Sequence, residues 1–136
     1  MKYLSLKKIF AGFFTIFAAV TLLASCSDKD DPVNPMAGYP KDVNIEYRVR
    51  STTGVTKADI AYDNQTGGRT TLDDAALPFS VKFKRRVEYA TTIGFSAHAT
   101  VAGTLIIEIL ADDKVVKTET FTATSNVGGT VVYGFN

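Results

Sequence analysis

The chain has no tryptophan, one histidine and one cysteine among its 136 residues. A single cysteine excludes an intramolecular disulfide. A single histidine, His98, cannot build an imidazole metal site, and any Ser-His-Asp triad would have to use it. Excess charge of one sign is also lacking, with 15 basic and 14 acidic residues. A nucleic-acid binder needs a basic surface that releases counterions, and this chain has no basic excess to supply one. The longest apolar run, Ile9 to Ala24, is 16 residues. That is short of the ~20 a membrane-spanning helix requires.

What is present is unevenly distributed. Apolar residues make up 46% and charged residues 21%, a globular composition rather than a disordered one. Lys2, Lys7 and Lys8 precede the apolar run, and Ser25-Cys26-Ser-Asp-Lys-Asp-Asp follows it. A basic start, an apolar centre and a small-residue exit make a secretory signal. The exit, Leu23-Ala24-Ser25-Cys26, resembles the bacterial lipobox. The resemblance implies cleavage before Cys26, a diacylglyceryl group on its thiol and an acyl chain on the new amine. Each buried methylene contributes ~0.8 kcal/mol, so several chains anchor where one binds marginally. Removal of residues 1–25 would leave 12 basic against 14 acidic residues, a net charge of about −2. The residue after the cysteine is Ser27 and not Asp, which by the same resemblance implies the outer membrane of a Gram-negative bacterium. The Asp28, Asp30, Asp31 cluster resembles surface-export signals and reads equally well as a solvated spacer. The domain would therefore face either the periplasm or the cell surface.

Residues 26–40 read as a flexible tether. Pro32, Pro35, Pro40 and Gly38 oppose regular structure. The fourteen residues after the cysteine could span about 40 Å at ~3.1 Å each. From residue 41 the period is two. Val43, Ile45, Tyr47 and Val49 alternate with polar residues, as a half-buried strand does. Further strands are expected at 57–63, a short one at 69–72, one from Phe79 through Lys84, and a less regular stretch at 87–99. Others are expected at 104–110, 115–124 and 130–135. Asp73 to Pro78 reads as a connector, and Ala111-Asp-Asp-Lys114 as a hairpin turn. Regular short strands between polar turns predict an all-β fold, an immunoglobulin-like antiparallel β-sandwich of about seven strands over residues 41–136. A small barrel is the alternative.

The order Tyr47-Arg-Val, Ala58-Asp-Ile-Ala-Tyr62, Gly67-Gly68, Leu77-Pro-Phe79 and Ile107-Glu-Ile-Leu-Ala-Asp-Asp-Lys-Val-Val resembles the MmpS family of small envelope proteins. These assist lipid exporters, and their soluble domain is a β-sandwich. The resemblance covers Val43 to Tyr133. It implies the same fold and an envelope transporter or another envelope component as partner. Phe79 stands where that family has Trp, the family's disulfide is missing, and Cys26 replaces its membrane helix.

Candidate chemistry is sparse. Alternation puts His98 with Ser96 and Gly94 on a wet face, and no catalytic role is expected there. Asp59 and Asp63 lie about 13 Å apart along one strand. Glycosidase carboxylates need about 5 to 9.5 Å. Asp73-Asp74 and Asp112-Asp113 read as turn residues, and Gly67-Gly68 and Gly128-Gly129 as turns. Lys82, Lys84, Arg85 and Arg86 form a basic stretch. It reads first as a solvated strand face or as edge-strand charges that block aggregation, and second as a surface for anionic headgroups or an acidic partner. The expectation is a non-enzymatic, lipid-anchored envelope domain without a cofactor. The alternative is a surface carbohydrate-binding or adhesion module using Tyr39 and Tyr89.

Overall fold

A computed structural model describes residues 34–136. The expected cleavage and acylation residues, Leu23, Ala24, Ser25 and Cys26, lie outside the described residues. Eight antiparallel strands follow one another: β1 Lys41–Ser51, β2 Lys57–Asp63, β3 Arg69–Ala76, β4 Phe79–Val87, β5 Thr92–Ala99, β6 Gly103–Ala111, β7 Lys114–Ala123 and β8 Val127–Gly134. They form two four-stranded sheets, ordered β4-β1-β6-β7 and β3-β2-β5-β8. The expected β-sandwich is therefore present. A constant-type immunoglobulin domain has four strands facing three. Here four face four, so the strand count does not carry the immunoglobulin-like part of the expectation.

Only β2–β3 and β6–β7 are hairpins within one sheet; every other connection crosses between the sheets. Crossing connections interleave the two sheets, and alternation supplies the layer between them. Ile45, Tyr47 and Val49 of β1 lie beside Leu105, Ile107 and Ile109 of the neighbouring β6 on the inner face of one sheet, and all are buried. From the other sheet come Ile60, Ile93, Phe95, Ala97 and Val131. The Tyr47 ring lies at the centre, 5.0 Å from Phe95, 5.6 Å from Tyr62 and 5.8 Å from Phe83. Burying side chains of this size contributes about 1.5–3 kcal/mol each. The Tyr47 hydroxyl donates to the Asp63 carbonyl at 3.0 Å, which satisfies the one polar atom of that ring.

Two departures from the sequence expectation have local causes. Asp73–Ala76 is not a connector, because β3 continues through it to pair with β2. Between Ala58 and Ile60 the register shifts, so Asp73 and Asp74 together oppose Asp59. Asp74 takes the left-handed conformation, φ 51°, that such a β-bulge uses and that Asp tolerates. The second departure is at 87–99. Strand β4 ends at Val87, and Glu88–Thr91 turn before β5, with Ala90 at φ 62°. The Asp112-Asp113 turn is as expected. Both residues have positive φ, 48° and 65°, as a two-residue hairpin turn of the mirror-image type demands.

The domain also begins before residue 41. Asn34–Asn136 form one compact unit. Asn34–Pro40, assigned above to the tether, make consecutive turns, with the Ala37 amide on the Asn34 carbonyl and the Tyr39 amide on the Met36 carbonyl. Tyr39 then packs on the core and donates its hydroxyl to the Asn136 carbonyl at 3.1 Å.

Candidate functional site

The antiparallel order gives the sandwich two unlike ends. At one lie residues 34–40, the β2–β3, β4–β5 and β6–β7 turns, and the C-terminus. At the other lie the β1–β2, β3–β4, β5–β6 and β7–β8 connections. This second end carries an open groove of about 600 Å³. Its walls are the β1–β2 loop from Thr53 to Thr56, the start of β2 through Asp59, Asp74 of β3, the end of β5 at His98, and the β5–β6 connection from Thr100 to Ala102.

Each wall has a local reason for its shape. Ser51 Oγ accepts the amides of Thr53 and Val55, both at 3.1 Å, a side-chain turn that bends the chain out of β1. Val55 then drops into the core as a plug, 7% exposed. Thr53 Oγ1 accepts the Thr104 amide at 2.7 Å and ties this loop to β6. The approach is close enough that only glycine fits at 103. A β-carbon there would stand 2.6 Å from both Thr53 Oγ1 and Val55 Cγ2.

Across the groove, Asp59 and His98 are register partners on β2 and β5. Asp59 Oδ1 accepts the Asp74 amide at 3.0 Å, so the β3 bulge orients the Asp59 carboxylate. His98 is exposed, as alternation implies. Its Nδ1 lies against Gly128 of β8, where a β-carbon would overlap it. Gly128-Gly129 therefore lie inside β8 and are not a turn. Gly129 makes room in the same way for the Phe121 ring. Gly67, in contrast, serves a turn, with φ 84°.

The groove thus offers threonine hydroxyls, the Asp59 and Asp74 carboxylates, the Lys57 ammonium and one imidazole on an open concave surface. These groups can bind a polar ligand through many hydrogen bonds. Among the described residues, no group of three or more His, Cys, Asp or Glu could hold a metal ion. Asp63 is not part of the site. Its Oδ2 accepts the Gly94 amide at 2.7 Å, so it serves the β2–β5 junction.

The basic stretch does not form one surface. Arg85 follows the inward parity of Val81 and Phe83, and its Nη2 reaches the β2–β3 turn, 3.3 Å from where a Gly67 β-carbon would lie. Lys82, Lys84 and Arg86 point outward, but acids meet each of them. Lys82 pairs with Asp113, and Lys84 and Arg86 both approach Asp42, at 3.9 and 3.8 Å. The same outer face holds buried Glu46, which takes a two-bond contact from Arg48 at 2.7 and 2.9 Å and a hydrogen bond from Ser80 at 2.8 Å. The Arg48 hydrogen bond, against the cost of burial, holds the Glu46 carboxyl below its ordinary range. Each of these outward cations thus has an acid near it, with Lys84 and Arg86 sharing the Asp42 carboxylate.

Tyr39 and Tyr89 are not a platform either. Their rings meet edge to face at 5.8 Å, and Lys41 sits 4.4 Å above the Tyr39 ring. Both close the end opposite the groove. The sequence signal for the groove was weak, because its residues come from three separate segments. The paired Asp73-Asp74 and the isolated Gly103 were the nearest clues.

Fold and site together define a β-sandwich with a polar groove at one end. No family model matches the chain, and no curated protein matches it.

Proposed function

We propose that the protein is a lipid-anchored component of a Gram-negative cell envelope, held in the outer membrane by acyl chains on Cys26. Its β-sandwich would be a binding and accessory domain rather than an enzyme. The observation that carries the anchor is Leu23-Ala24-Ser25-Cys26 behind a basic start and a 16-residue apolar run. The observation that favours binding is the end groove, a concave surface of donors and acceptors supported by a rigid sandwich. On the likeness to MmpS proteins, the occupant would be a lipid, a transporter subunit or another envelope protein.

A carbohydrate-binding or adhesion module is the second reading. The hydroxyl and carboxylate lining of the groove favours it, whereas Tyr39 and Tyr89, the aromatic candidates, are engaged at the other end.

The anchor is tested by Cys26→Ala. The variant should accumulate as an uncleaved precursor that takes up no labelled palmitate, while the wild-type protein is labelled and fractionates with the outer membrane. Normal labelling of the variant would refute acylation at this residue.

A further inference from the structure

Strand β4 has one bonded side and one open side. The main chain of Asn44 points to the β6–β7 turn, since its amide donates to the Asp112 carboxylate and its carbonyl accepts the Asp112 amide. Successive residues of a strand direct these groups to opposite sides. Val43, Ile45, Tyr47 and Val49 therefore bond to β4, where they pair with Arg85, Phe83, Val81 and Phe79. The amides and carbonyls of Ser80, Lys82, Lys84 and Arg86 are left facing away from the sheet.

Among the described residues, β3, β4, β7 and β8 are the sheet edges. Three of them carry features that oppose pairing with another chain. Strand β3 has its bulge at Asp73-Asp74, and β8 contains Gly128, Gly129 and Gly134. Strand β7 shifts register beside Val115 and sets Lys117 and Glu119 next to Ile109 and Ile107 on the inner face. Strand β4 pairs with β1 over nine consecutive residues without a shift, and contains no proline or glycine. Its guard is charge alone. Two copies aligned along the whole of β4 about Phe83 would set Lys82 against Lys84, and like charges directly opposite repel. An acidic strand meets no such barrier. Lys84 and Arg86 share one carboxylate, that of Asp42 at 3.9 and 3.8 Å, so positive charge is left over there. The inner side of the same edge is apolar. Phe79, Val81 and Phe83 are half-buried, and the Tyr62 ring lies 6.4 Å from Phe79 and 6.3 Å from Phe83. The facing edge, β3, offers Thr70, exposed Leu72 and Ala75, which leave these side chains partly open. On the opposite flank the Phe121 ring of β7 lies against Gly129 of β8.

We infer that β4 is the docking edge for an extended segment of a partner protein in which acidic and apolar residues alternate. The segment adds to the sheet as a further strand. Main-chain hydrogen bonds to Ser80, Lys82, Lys84 and Arg86 supply affinity, and the alternating side chains supply specificity. Acidic ones lie over Lys82, Lys84 and Arg86, and apolar ones lie against Val81 and Phe83. None of these residues lines the end groove, and the docking does not depend on acylation at Cys26.

The probe is a synthetic peptide of alternating glutamate and valine, as long as β4, with a lysine–valine peptide as control. The isotope-labelled full chain in detergent solution would be titrated with each, and its amide hydrogen exchange followed by NMR. With the glutamate peptide at about ten times its dissociation constant, exchange at Ser80, Lys82, Lys84 and Arg86 should slow about tenfold, because about a tenth of the edge then remains free. The lysine peptide should give no protection. Lys84→Pro removes one outward amide and leaves the bonds to β1, a substitution that an edge strand tolerates, and it should abolish the protection. The wild-type titration stands by itself should that variant unfold. No binding at millimolar glutamate peptide, binding without protection of these four amides, or equal protection by the lysine peptide overturns the inference. Full protection in folded Lys84→Pro overturns it as well.

Discussion

Single residues at the centre of the sandwich combine packing with polar satisfaction. Burial, and then the nearby Asp63 carboxylate, push the Tyr47 phenol well above its ordinary range, so it remains a neutral donor. Tyr47→Phe keeps the ring contacts and removes the bond to the Asp63 carbonyl. It should cost about 1 kcal/mol in denaturant unfolding, within the span of one neutral hydrogen bond. Glu46 shows the opposite shift. Its folded value lies below its ordinary 4.5. The ionised carboxylate therefore stabilises the fold fully above that pH, and the contribution disappears as pH falls through the folded value. Denaturation midpoints measured down the acid range should fall more for wild type than for Glu46→Gln.

At the scale of elements, the connections decide the shape of the groove. Gly103→Ala would drive a β-carbon into Thr53 and Val55, and should cost about 1–3 kcal/mol in the manner of an overpacked site. Amide signals of Thr53 to Val55 should shift most, because the strain falls on the β1–β2 loop. Alternation made β1 legible in advance, since Val43, Ile45, Tyr47 and Val49 share one face and each is buried. The same rule, continued along β4, places Arg85 on the inward parity of Val81 and Phe83, but a run of four cationic residues read as one patch. The β3 bulge was not legible. Aspartates favour turns, and only the pairing with β2 makes Asp73-Asp74 part of a strand. Gly128-Gly129 failed for the same kind of reason. Their lack of side chains serves His98 and Phe121, which are distant in sequence.

The whole molecule acquires direction from its topology. Among the described residues, the first turns from Asn34, the C-terminal residues and three turns gather at one end, and four connections gather at the other, where the groove opens. The polar lining of the groove therefore opens to solvent at the end opposite Tyr39 and Asn136. On the outer face of the β4-β1-β6-β7 sheet, the exposed pairs at Asp113 and Asp42 add little stability, in contrast to the buried Glu46.

The sequence by itself determined the strands, the central apolar layer and the candidate acylation site. Period-two burial is a local pattern, and a targeting signal is read along the extended chain. Only the tertiary structure decided which residues meet. Thr53, Asp59, Asp74, His98 and Thr100 become neighbours through strand pairings and sheet crossings that span the chain, and such contacts leave no periodic trace in the sequence. The separation of the groove from the N-terminal end likewise follows from strand direction, which emerges only when the two sheets are assembled.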